Sequence, residues 1–83
     1  MALSAAELRK AASLLEAGQW QAAHEIVQRD EESARACWAH GIVHIMEGDL
    51  PNARYWYDQA KRPFPADADA RKEIRALSEE LRA

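Results

Sequence analysis

Apolar residues recur along the chain at helical spacing and are divided by glycine, proline and acidic runs into five segments. Leu8, Ala11, Ala12 and Leu15 share one face, which predicts a helix over about Ala5 to Ala17. Ser4 followed by Glu7 is the pattern of a capping box, and Gly18 suits the left-handed position that ends a helix. Trp20, Ala23, Ile26 and Val27 predict a second helix to about Arg29. The run Asp30–Ser33 closes it, with Ser33 as a cap for the next. Trp38, Ile42, Ile45 and Met46, widened by Ala39 and Val43, predict a third from Ala34 to Glu47, ended by Gly48. The other side of that helix holds Cys37, His40, Gly41 and His44, with little charge anywhere. A helix so poor in charge is contacted on more than one side, so it is expected at the centre.

Asp49 as cap and Pro51 in the first turn open a fourth helix. It is expected to run to about Lys61, stopped by Pro63-Phe64-Pro65, with Leu50, Ala53, Trp56, Tyr57 and Ala60 inward. The fifth starts after Asp67 and reaches about Arg82. Its narrow stripe of Ala70, Ile74, Leu77 and Leu81 on a charged helix is the pattern of a lid with one face packed. Few β-branched residues and no alternating runs leave no strand signal. The expected fold is all-α, one domain over 1–83, with hairpins at 4–30 and 34–62 and a capping helix at 67–82.

Eighty-three residues supply one core of modest stability, about 3–5 kcal/mol at this size. Hydrophobic residues at 48% and charged residues at 30% fit a folded chain and not a disordered one. A net charge of −3, with 11 basic residues scattered among 14 acidic ones, argues against nucleic acid, whose binding needs clustered cations. The single Cys37 allows no internal disulfide and fits a reducing compartment. With no signal-peptide pattern and no long apolar run, the location expected is cytoplasmic.

Gly18-Gln19-Trp20-Gln21-Ala22-Ala23 and Gly48-Asp49-Leu50-Pro51-Asn52-Ala53 share a pattern and stand 30 residues apart. Gly41, Gly48, Ala53, Tyr57, Ala60 and Pro65 fall on the small, turn, small, aromatic, small and proline positions of the tetratricopeptide repeat, and the chain resembles that family over about Ala5 to Pro65. It departs where Cys37 stands at an early tryptophan position, with Trp38 one residue late, and where His40 and His44 take apolar positions. The first hairpin matches only at Ala11, Leu14, Gly18, Trp20 and Ala23. The resemblance implies a protein or peptide partner, bound on the concave face that would include Leu8, Ala12, Trp38, Ile42 and Ile45. A short groove of this kind is expected to be covered by the fifth helix or by a second copy of the chain. The stretch His44-x-x-Glu47-Gly48-Asp49-x-x-Asn52-Ala53-Arg54-Tyr55-Trp56-Tyr57, followed by Arg62-Pro63-Phe64, also resembles a segment of small bacterial proteins and implies no activity.

The residues expected to bind a partner are Trp38, Ile42, Arg54, Tyr55 and Trp56, because tryptophan, tyrosine and arginine dominate interface hot spots. Of the Arg54–Tyr57 run, Tyr57 is expected in the core. The competing reading centres on His40 and His44, spaced i and i+4, which could chelate a metal with His24 or a carboxylate as third ligand. Against it, paired helical histidines also plug helix seams, so no cofactor is expected. A zinc-protease motif is excluded, since Gly41 follows His40 where a glutamate would be needed. Cys37 and His40 lie one turn apart, but a thiol in a helix seam is inert, and no catalytic constellation is complete.

Overall fold

Local chemistry starts and stops each helix. The fold is described from a computed structural model covering residues 2–82. Helix α1 spans Ala5–Glu16, and the Ser4 hydroxyl accepts the Glu7 amide while the Glu7 carboxylate accepts the Ser4 amide. That reciprocal pair satisfies two of the amides a helix start leaves open. The helix ends with Gly18 at φ +78°, and α3 (Ala34–Glu47) ends in the same way with Gly48 at φ +91°. In both turns the following amide reaches back to close the helix, Gln19 to the Leu14 carbonyl and Asp49 to the His44 carbonyl. Each chain reversal therefore takes two or three residues, and α2 (Trp20–Val27) and α4 (Leu50–Gln59) fold straight back onto α1 and α3.

Three boundaries differ from the expected ones. Helix α2 ends at Val27 because Asp30 gathers the chain beyond it. Its carboxylate, almost without exposure, accepts the amides of Leu3, Glu32 and Ser33 and the Ser33 hydroxyl. Ser33 thus stands at the start of α3 without capping it through its side chain. Helix α4 ends at Gln59, two residues short, where Lys61 takes a left-handed φ of 57° and the Arg62 amide bonds the Tyr57 carbonyl. Helix α5 (Ala70–Arg82) begins late because Ala68 is also left-handed, and the Asp69 carboxylate accepts the amides of Arg71 and Lys72.

Helix α3 is central, as its low charge predicts. Residues Ala36 to Ile45 are all buried, and α3 packs against each of the other four helices. Its tightest seam is with α4. A Cβ placed on Gly41 would lie 2.5 Å from Tyr57 Cδ1 and 3.3 Å from the Ala53 carbonyl oxygen, so only glycine permits that approach.

Helix α5 lies across α1 and α3, burying Ile74, Leu77 and Leu81. Polar contacts fix it at both sides: the Ser78 hydroxyl donates to Glu16 (2.7 Å) on α1, and Arg35 on α3 pairs with Glu80 (3.4 Å). Glu73 sits deeper. One of its oxygens, Oε1, accepts both Trp38 Nε1–H (3.0 Å) and the Tyr57 hydroxyl (2.6 Å), which joins α5 to α3 and α4.

Candidate functional site

Two places in this fold hold the residues singled out by sequence. One is the outer side of α4. The other is a group of three histidines where α2 meets α3.

The backbone of helix α4 lies close to that of α3 alone, with α5 reached through the Tyr57–Glu73 hydrogen bond, whereas every other helix packs closely on at least two neighbours. Its two most exposed large apolar residues are Tyr55, at 54%, and Leu50, at 37%; Leu50 was expected inward but, as the first residue of the helix, it lies open. Five residues apart on a helix, they point about 140° from each other and do not merge into one patch. The Tyr55 ring meets Trp56 edge-on at 5.0 Å. Exposed Arg54 lies with its guanidinium 4.7 Å from the Phe64 ring centre, and among the described residues it has no carboxylate partner.

The other three residues expected at a partner surface lie inside. Trp38 is 1% exposed and Ile42 has no exposure at all. The reason is α5, which occupies the face shared by α1 and α3 where a peptide groove was expected, and which engages Trp38 through Glu73. The Arg62 guanidinium closes over the Trp38 ring at 3.4 Å. Trp56 is buried too, because it stacks flat on His40 with ring centres 3.9 Å apart.

The histidines form a near-equilateral group. Ring centres are 4.9 Å apart for His24 and His40, 5.4 Å for His24 and His44, and 5.1 Å for His40 and His44. One ring nitrogen from each lies within 4.8 Å of the others. Helical periodicity places His40 and His44 together, one turn apart; the packing of α2 on α3 adds His24.

The three environments differ. His24 is half-buried; His40 and His44 are buried. His40 Nδ1 is enclosed and has no hydrogen-bond partner. Burial, with the neighbouring His24 and His44 adding to it, drives the His40 pKa down to about 3, so its imidazole is neutral. His44 Nδ1 is 2.8 Å from Glu47 Oε1, one turn further along α3. Three imidazoles that each bring one ring nitrogen within 4.8 Å of the others are a ligand set that one divalent cation can satisfy jointly.

Cys37 has no place in this group. Its thiol is fully buried, and burial, with Asp30 and Glu31 adding to it, raises the pKa away from the reactive thiolate. A surface cleft of about 590 Å³ opens elsewhere, between the C-terminal ends of α1 and α3 and the side of α5. Leu15, Met46 and Ile74 form its apolar part and Arg71 and Arg75 stand at it, but no histidine or cysteine lines it.

Asp30, Arg62 and Glu73 carry weight that the sequence conceals. Each reads locally as one charged residue in a polar stretch; helical spacing sets Glu73 beside the apolar stripe of α5 and Glu79 opposite it, but does not show which donors Glu73 would meet. Compared with known proteins, the chain matches no family model, no curated protein and no solved structure.

Proposed function

We propose that the protein is a small tetratricopeptide-like interaction module that docks a helix of a partner protein against the outer side of α4. The observation that supports this is the single close neighbour of α4. In an array of helical hairpins a further helix would pack there, and none does among the described residues. Tyr55 provides an amphipathic anchor, and Arg54 beside it lies over the Phe64 ring and, among the described residues, pairs with no carboxylate. The partner helix therefore carries an apolar residue for Tyr55 and an acidic one for Arg54. The concave face does not enter the reading, since α5 fills it.

A photo-crosslinking residue placed at Tyr55, with a control at exposed Arg9 on α1, tests the proposal in producing cells. One discrete adduct from position 55, lost in the Arg54→Ala variant and absent from position 9, is expected. Identical adducts from both positions, or none from either, would overturn it. Light scattering on the purified chain then shows whether the docked helix belongs to a second copy.

A further inference from the structure

We propose that His24, His40 and His44 form a mononuclear site for a divalent transition cation of the zinc class, bridging α2 and α3. This inference stands apart from the docking reading and uses none of its residues. Three imidazoles are the ligand set of an open zinc site, in which water takes the fourth position. Ligand nitrogens in such a site stand about 3.4 Å apart, given zinc–nitrogen distances of about 2.0–2.1 Å. The three nitrogens here already fall within 4.8 Å of one another. A contraction of at most about 1.5 Å completes the set by the same geometry, within reach of small side-chain rotations.

Packing alone accounts poorly for the group. A seam between two helices is ordinarily filled by apolar side chains, and a buried nitrogen without a partner costs about 1–3 kcal/mol. His40 leaves Nδ1 in that state at the centre of the molecule. Leucine or phenylalanine at position 40 would fill the seam without the cost. A bound cation would coordinate the three ring nitrogens that lie within 4.8 Å of one another.

The surroundings favour ligation in three further ways. First, Trp56 stacked at 3.9 Å and 10° holds the plane of the His40 imidazole. Second, the Glu47 carboxylate lies 2.8 Å from His44 Nδ1 and fixes the orientation of that ring. A carboxylate behind a histidine is the usual outer partner of a metal ligand, fixing both tautomer and ring orientation. Third, His24 is half-exposed, which provides an entry path and room for water.

A competing arrangement shares one residue. His44, Glu47 and Asp49 also bring donor atoms within 4.8 Å of one another, but both carboxylates are exposed. The Glu47 oxygen is already bound to His44, and the Asp49 carboxylate accepts the Asn52 amide as a helix cap. Asp49 is therefore the control residue.

The test is titration of chelator-treated protein with Co²⁺ and Zn²⁺. Co²⁺ is expected to bind once per chain with the intense visible absorption of a four-coordinate site, and Zn²⁺ to displace it and raise the melting temperature. His24→Gln and His44→Gln should each weaken Zn²⁺ binding by about tenfold or more. Glu47→Gln should weaken it by about 10–100-fold, as outer partners do. Asp49→Asn should leave it unchanged. His24 is half-exposed, so its variant is expected to fold, and circular dichroism verifies that. Wild-type protein with neither the absorption nor a thermal shift would overturn the proposal without reference to any variant. So would a folded His24→Gln variant that binds as wild type does.

Discussion

Truncation of Glu73 to alanine is expected to release α5 from its seat. Oε1 of Glu73 accepts the indole N–H of Trp38 and the hydroxyl of Tyr57, and both donors belong to residues about 1% exposed. Burial, and then the bond to Glu73, raises the Tyr57 pKa, so the hydroxyl keeps its proton and donates. Alanine would strand two buried donors at about 1–3 kcal/mol each. Partial rehydration through the opening left by the lost side chain lowers the sum, so a net cost of about 2–4 kcal/mol is expected. Domains of this size hold only about 3–5 kcal/mol in total, so the variant should keep about 1 kcal/mol and show a measurable unfolded fraction at room temperature. Glu73→Gln keeps an acceptor oxygen and loses only the charge assistance, for about 1 kcal/mol. Urea unfolding followed by far-ultraviolet circular dichroism measures both, with exposed Glu79→Ala as control. If alanine costs under about 0.5 kcal/mol, or glutamine costs as much as alanine, the shared acceptor does not hold α5.

Gly41→Ala gains about 1 kcal/mol of helix propensity but sets a Cβ 2.5 Å from the enclosed Tyr57 ring and 3.3 Å from the Ala53 backbone. The overlap should win by about 1–3 kcal/mol, seen as a lower melting temperature. Asp30 carries a pH signature. Burial would raise its pKa, but the bonds from Ser33, Leu3 and Glu32 outweigh it and lower the value from 3.8 to about 2. A carboxyl lowered on folding contributes stability above its unfolded pKa and loses it as pH falls through the folded one. Wild type should therefore lose about 2 kcal/mol between pH 4 and pH 2 that Asp30→Asn does not lose, measured by urea unfolding across that window.

What the sequence determined by itself was local. Ser4 with Glu7, Gly18, Gly48 and Pro51 mark helix ends because capping and left-handed turns involve a few adjacent residues, and each acts where it was expected. Of the three boundaries that shifted, those of α4 and α5 did so where Lys61 and Ala68 adopt positive φ, a conformation their side chains do not announce, and that of α2 where Asp30 gathers the chain. The low charge of α3 showed that it would be surrounded, and the glycine at position 41 showed that α4 would come close.

Tertiary packing decided which side chains are accessible and which ones meet. Trp38 and Ile42 have the same helical spacing whether their face is a groove or a core; only the docking of α5 settled that they lie inside. Glu73 and Arg62 became central because Trp38 is 35 residues from one and 24 from the other in sequence but in contact in space. His40 and His44 were paired by the helix repeat. His24 was one of several candidate third ligands until α2 packed on α3, because distances between separate helices are set by the core they share and not by the residues along either one.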